Sequence, residues 1–318
     1  MTRNLSEMEH LSDAAEALGD IRARRPAIAR FHSEAVLAHT GASTVFRGRY
    51  DEAGAILTLA LGTDRRERAR RHQRILARLG AALGDGRYRV APLIDAWPGE
   101  GVTLTADPAG EALIEAVDGA DDDTRDALLG EAGHWLDRVT AAAHRQVAFG
   151  GRQWVRRART GLARIASRDD RALGAALGNR LEALLPTVAG RAVTQAHGHG
   201  DFSPAHVVRT QDAIVAIAVQ PSHWPPVTQE LARFLVALQI ARPRPGGAAR
   251  FGVDGADHDA LLAPVERLPR AERARHLPFF IGIELADRLE QADLAGPEAD
   301  RLRDAIEHFL NADRGPTL

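Results

Sequence analysis

From Ala35 the chain reads "AVLAHTGASTVFRGRYDEAGAILTLALGT". Apolar and β-branched residues alternate with polar ones, which predicts two or three strands. Gly41, Ser43 and Thr44 mark the turn between the first two, and Asp51 to Gly54 mark the next. Ahead of this block, residues 5 to 19 carry a helical pattern that Gly19 is expected to end. Behind it, residues 64 to 79 switch to helical spacing, with Ala69, Ile75, Leu76 and Leu79 on a narrow apolar face amid arginines. "RVAPLIDAWP" and "GVTLTADP" read as two further strands joined through Pro98 to Gly101.

After Asp107 the pattern is mainly helical. Residues 121 to 146 carry the clearest helix, with Asp121 to Asp123 at its positive end. Leu128, Ala132, Trp135, Leu136 and Val139 fall on one face of it. Helices continue over 154 to 184, closed by Pro186 and Gly190. "HVVR" and "AIVAIAV", separated by "TQD", predict a short hairpin. Residues 229 to 241, about 271 to 292, and 297 to 311 are the remaining helices.

Composition narrows the chemistry. At 318 residues and 45% hydrophobic, the chain can bury a sizeable core and suits two lobes. The longest apolar run, Leu277 to Leu285, contains Glu284, so no membrane span is expected, and the N-terminus lacks the apolar stretch of a signal peptide. The expected location is the cytoplasm. Cysteine is absent, which removes disulfides, thiolate nucleophiles and cysteine-held zinc. Lysine is absent too: all 41 basic residues are arginine. Any mechanism built on a lysine is therefore excluded, because the wide, fixed guanidinium fork does not replace an ammonium. The net charge of −2 gives no global attraction for nucleic acid. The acid-free stretch at 152 to 168 and the run Asp121 to Asp123 read as a solvated helix face and a helix start.

One stretch carries candidate chemistry. "AHGHGDFSPAHVV", residues 196 to 208, is a turn between segments of different periodicity, and it holds His199, Gly200, Asp201 and His206. With the hairpin and "ELARFLVAL" after it, and "AGHWLDRVTAAAHR" before it, it resembles the catalytic loop of the aminoglycoside phosphotransferase and choline kinase family. The resemblance covers roughly 35 to 312. It implies an α+β, protein-kinase-like two-lobe fold: a helical extension over 1–34, a small antiparallel-sheet lobe with one helix over 35–106, and a larger helical lobe over 107–318.

The resemblance also implies a set of parts. Phosphoryl transfer proceeds through a loose transition state, so catalysis is mostly positioning and charge neutralisation. Asp201 stands at the base position. The family's loop asparagine is His206, and imidazole is a poor magnesium ligand. The second metal aspartate falls on Ala218 or Val219, and no acid occurs between Asp212 and Glu230. The third-strand lysine falls on Thr58 or Ala60, and its helix glutamate on His72. Gly41, Ser43 and Thr44 match the phosphate-covering turn, a weak signal that any hairpin shares. Glu230, Glu284 and Asp287 are candidate lining of a cleft for cations, and the expectation is that they are helix-surface residues instead.

A retained base contributes about 10²- to 10⁴-fold and does not replace lysine and metal. The expectation is therefore a catalytically degenerate pseudokinase that binds a small molecule or a protein partner and uses no cofactor, with neither nucleic acid nor membrane as a partner. The alternative is an active ATP- and magnesium-dependent phosphotransferase acting on a small-molecule hydroxyl. In that reading Arg65, Arg66 or Arg68 reach the phosphates and His206 joins Asp201 in holding a transition metal.

Overall fold

The computed structural model describes residues 5–220, 224–291 and 296–312. They form two compact units. Of the described residues, the first comprises 5–111 and 208–220, and the second 112–207, 224–291 and 296–312.

In the first unit, α1 (Leu5–Arg24) and α2 (Pro26–Ala29) precede β1 (Phe31–Thr40), β2 (Ser43–Tyr50) and β3 (Ala53–Ala60). Then come α3 (Arg65–Leu83), β4 (Tyr88–Val90), β5 (Leu93–Trp97), β6 (Val102–Ala106) and β7 (Glu111–Ala112), where the chain passes to the second unit. A five-stranded sheet has the order β1-β2-β3-β6-β5, with antiparallel neighbours. The period of two sorts β3 cleanly. Ala55, Leu57 and Leu59 join Phe46, Val102 and Leu104 in a core completed by Ala14, Leu18 and Ile21 of α1. Ile56 faces the other way, with Val45, onto residues of the 208–221 segment. Thr58 and Ala60 share the face of Ile56.

Gly19, expected to stop α1, lies inside it. Leu18 and Ile21 flank it on the buried face. Burying an isoleucine stabilises by about 1.5–3 kcal/mol, more than the roughly 1 kcal/mol cost of a helical glycine. The first strand starts at Phe31, ahead of Ala35, because Phe31 is fully buried against the same core. "RVAPLIDAWP" is two strands in different sheets, divided at Pro92, which has no N–H to continue a ladder. β4 pairs parallel with β11 (Ile214–Ala216), next to β10 (Val207–Arg209). β10 and β11 are the expected short hairpin, closed by Thr210 N–H on the Ala213 carbonyl.

The second unit is mainly helical. α4 (Leu113–Ala116) leads to α5 (Asp122–Ala142), whose N-cap Asp121 accepts from Thr124 N–H at 2.8 Å. All five expected apolar positions of α5 are buried. The helix stops at Ala142, short of residue 146, and β8 (His144–Ala148) pairs with β9 (Ala192–Ala196). Between them lie α6 (Arg152–Leu162) and α7 (Arg168–Val188). Pro186 sits inside α7, near its end, and Gly190 at φ +74° makes the exit turn. The remaining elements are α8 (Val227–Ala241), β12 (Ala249–Arg250), β13 (Val253–Asp254), α9 (Gly255–Leu262), α10 (Arg270–Gln291) and α11 (Pro297–Asn311). The basic stretch at 152 to 168 is partly matched by acids: Arg157 pairs with Asp287, Arg159 with Glu182 and Arg164 with Glu290. Among the described residues no helix is long and apolar enough to cross a membrane.

A buried ion cluster fastens α5 to α9. Arg125 grips Asp257 with both arms, Nε–Oδ1 at 2.8 Å and Nη2–Oδ2 at 2.7 Å. Both side chains are 5% exposed or less. Arg244 adds a contact to Asp257 at 3.0 Å and reaches Asp122 and Asp126. Removing one partner strands the other charge out of water. Asp257→Ala is therefore expected to lower unfolding free energy by about 3–5 kcal/mol, read from urea denaturation midpoints. A loss below 1 kcal/mol would show that the cluster contributes little.

Candidate functional site

Each unit carries candidate residues of its own. In the first unit, α3 presents Ala69, His72, Leu76 and Leu79 along one buried face. His72 falls at the spacing of that face, which is the sequence signal that it is buried and not on the surface. Its Nδ1 lies 2.6 Å from Thr103 Oγ1 of β6. Nε2 makes no hydrogen bond of proper geometry. Burial drives the ring pKa down to about 4, opposed weakly by the Val219 backbone, so the ring is neutral at physiological pH.

His72 borders a recess of about 90 Å³. Its other walls include Ser43, Thr58, Ala60, Arg68, Thr103 and Gln220. Both third-strand candidates for the lysine position, Thr58 and Ala60, line it. Of the candidate residues Gly41, Ser43 and Thr44, only Ser43 does. Thr44 is fully buried, with Oγ1 2.8 Å from His39 Nδ1, and Gly41 is exposed at the turn. Arg68 is the single cation in the wall, and its Nε is already 2.7 Å from Asp64 Oδ2. Arg65 and Arg66 are exposed and outside the lining. Ala218 adopts φ +54° and Val219 is buried, and neither side chain has an oxygen to offer a metal.

In the second unit, the loop after β9 rests on aromatic rings. Trp135 stacks on Phe202 at 5.5 Å, and Phe202 packs against Phe234 of α8 at 5.0 Å. The backbone is anchored by Glu230, whose carboxylate accepts from His199 N–H at 2.8 Å and Gly200 N–H at 3.1 Å. Gly200 needs its left-handed φ of +82°. At Gly198 a Cβ would come within 2.9 Å of Glu230 Oε2. Arg233, one turn along α8, donates to the Gly200 carbonyl and to Glu284 of α10 at 3.3 Å.

Asp201 is 38% exposed and faces two of the chain's own groups: Arg233 Nη1 at 3.6 Å and His206 Nδ1 at 3.5 Å. His206 Nδ1 also lies 2.9 Å from the Asp201 carbonyl oxygen. That contact makes Nδ1 the donor and leaves only Nε2 with a lone pair for a metal. Among the described residues no group of three or more His, Cys, Asp or Glu side chains is arranged to hold a metal ion. The donors at the implied positions are an imidazole with one nitrogen engaged, a threonine, alanine and valine. They do not fit a magnesium–triphosphate, which needs hard oxygens and fixed positive charge.

The acids expected on helix surfaces are placed otherwise. Glu230 and Glu284 are buried, 2% and 4% exposed. Each is drawn inward by a partner: backbone amides for Glu230 and Arg233 for Glu284. Asp287 lies 2.5 Å from Arg157, and burial pushes its pKa up to about 6 against that cation. Sequence reasoning also gave no sign of a second recess, of about 360 Å³, lined by Trp154, Gln195, Trp224, Gln229 and Glu230. Trp224 packs against His197 at 3.9 Å and under Arg145 at 4.7 Å.

Burial pushes the Glu230 pKa from 4.5 up to about 7, outweighing the Arg233 charge and the two amide hydrogen bonds. A carboxyl with a raised folded pKa stabilises the fold fully below its unfolded pKa and loses that contribution as pH rises to the folded value. Relative to Glu230→Gln, the native protein is therefore expected to lose stability between pH 4.5 and 7 and then level off. The slope is at most about 1.4 kcal/mol per pH unit. His72 titrates in both proteins and cancels in the difference. Urea midpoints of the pair across this range test it, and a constant difference would refute it.

No family model and no curated sequence matches the chain. Solved structures do match its fold. The choline kinase from Streptococcus pneumoniae superposes with a TM-score of 0.59 at 12% identity, covering 92% of this chain and 98% of that one. The aminoglycoside phosphotransferase APH(4)-Ia gives 0.56 at 13%, covering 95% and 100%. The amicoumacin kinase hAmiN, solved with AMP-PNP, Ca2+ and its antibiotic, gives 0.57 at 13%, covering 94% and 96%. Identities this low speak to architecture alone: the chain has the fold of the choline kinases and aminoglycoside phosphotransferases.

Proposed function

We propose that this protein is a non-catalytic member of the kinase-like fold, one that binds a small ligand or a partner and does not transfer phosphate. The observation that carries this reading is the recess beside His72. A neutral imidazole, hydroxyls and alanines stand where a phosphate-gripping charge pair is needed, and among the described residues Arg68, in an exposed pair with Asp64, is the one cation of the wall. Bringing a triphosphate out of water against such a wall leaves its charge unmatched. Two further features support it. Ala218 and Val219 supply no metal oxygen, and His206 has one of its two ring nitrogens engaged by the Asp201 carbonyl. A cation-binding cleft is disfavoured because Glu284 and Asp287 already hold Arg233 and Arg157.

The second reading, an active phosphotransferase with rewired ligands, draws on one observation: the Asp201 carboxylate stays partly exposed with His206 beside it. It requires manganese or zinc to replace magnesium, and it requires Asp201→Ala to abolish nucleotide binding.

A thermal-shift and phosphate-transfer panel separates the two. ATP with magnesium, manganese or zinc is expected to leave the melting temperature unchanged. Choline, ethanolamine and an aminoglycoside are expected to remain unphosphorylated. Asp201→Asn is expected to behave as the native protein does. Metal-dependent phosphorylation of any acceptor, lost in Asp201→Asn, overturns the proposal.

A further inference from the structure

The recess of the first unit has the character of a binding site in its own right. Three alanines, Ala42, Ala60 and Ala69, make the room. Around them stand polar groups with capacity left over. Thr58 is 9% exposed and lines the recess with a hydroxyl that can both donate and accept. Gln220 spends its Nε2 on the Ala218 carbonyl, which leaves its side-chain oxygen available. His72 is 4% exposed, and its Nε2 lacks a partner of proper geometry. A buried polar atom left unmatched, as His72 Nε2 is, costs about 1–3 kcal/mol, so a ligand that matched it would recover that energy.

The charge of such a ligand follows from the wall. Among the described residues no carboxylate lines the recess, which disfavours a cation. Among the described residues Arg68 is the one guanidinium of the wall, it lies at the exposed rim and it shares its charge with Asp64, so an anion would meet at most a partly screened cation. His72 stays neutral well below pH 6 and supplies no charge. An ion entering here would shed water without gaining a counter-charge. An uncharged group with both a donor and an acceptor is matched on each side. The ring tautomer of His72 provides one partner, Thr58 either kind, and Gln220 an acceptor. The volume, about 90 Å³, is below the roughly 150 Å³ that encloses a benzene ring. It suits a group of a few heavy atoms, with any larger body outside.

We propose that this recess is a binding site for the uncharged carboxamide end of a small molecule, held by Thr58, His72 and Gln220. The proposal rests on the non-catalytic reading above, since it puts a neutral ligand where a nucleotide's phosphates would otherwise be gripped.

Nicotinamide is a suitable probe and nicotinate its charged counterpart. Ligand-observed NMR and titration of the native full-length protein are expected to show nicotinamide binding with an affinity at least about tenfold above that for nicotinate. The His72 ring nitrogens are expected to shift on saturation. Thr58→Val, which keeps shape and removes the hydroxyl, is expected to weaken binding by about fivefold. Ala69→Leu, which fills the recess, is expected to abolish it. Should either variant fail to fold, the comparison of the two probes on native protein still decides. Equal binding of the two, no binding of nicotinamide, or binding without a His72 shift overturns the site. Those outcomes leave the non-catalytic reading standing, whereas phosphorylation of an acceptor would sink that reading whatever nicotinamide does.

Discussion

The contact between Glu230 and the backbone of His199 and Gly200 is the constraint on which the rest of the second unit's candidate site depends. A carboxylate fully out of water is costly, and its pKa near 7 records that cost. The fold tolerates it because two amide protons and the Arg233 guanidinium meet it from different sides. These bonds anchor the turn in which Gly200 is left-handed and the Asp201 side chain is 38% exposed. Arg233 then extends the pattern, linking Glu284, the Gly200 carbonyl and Asp201. The network that shapes the loop also neutralises the carboxylate that the loop presents.

The same economy of charge holds elsewhere. A phosphoryl-transfer site keeps unsatisfied positive charge waiting for its substrate. Here the charges near the candidate residues already have partners within the chain: Arg68 with Asp64, Arg157 with Asp287, Arg233 with Glu284. His72 has been made neutral by burial. Within the fold it shares with kinases, these groups are engaged in ion pairs, hydrogen bonds and packing inside the chain.

Much of the architecture was legible from periodicity. The alternation from Ala35 placed β1 to β3, and the spacing of Ala69, Ile75, Leu76 and Leu79 gave the buried face of α3. The apolar positions of α5 were equally clear. What periodicity missed shares one cause. β8 carries a single β-branched residue and exists because β9, far along the chain, supplies its hydrogen bonds. Gly19 reads as a stop only if Ile21 is not known to be buried. Arg125 reads as a surface residue until Asp257 of α9 is brought against it.

Composition and motif determined what this chain lacks: lysine anywhere, an acid between Asp212 and Glu230, and an asparagine at His206. Those facts need no coordinates, because a missing functional group stays missing in any conformation. They also marked Asp201 and the turn that presents it. Only the tertiary structure decided how the groups that are present are used. It turned Glu230 from a surface acid into the loop's anchor, drew Glu284 inward onto Arg233, and silenced His72 by burying it against Thr103. Ionisation and hydrogen bonding depend on distance and on exclusion of water, and residues 30 to 130 positions apart acquire neither until the chain has folded.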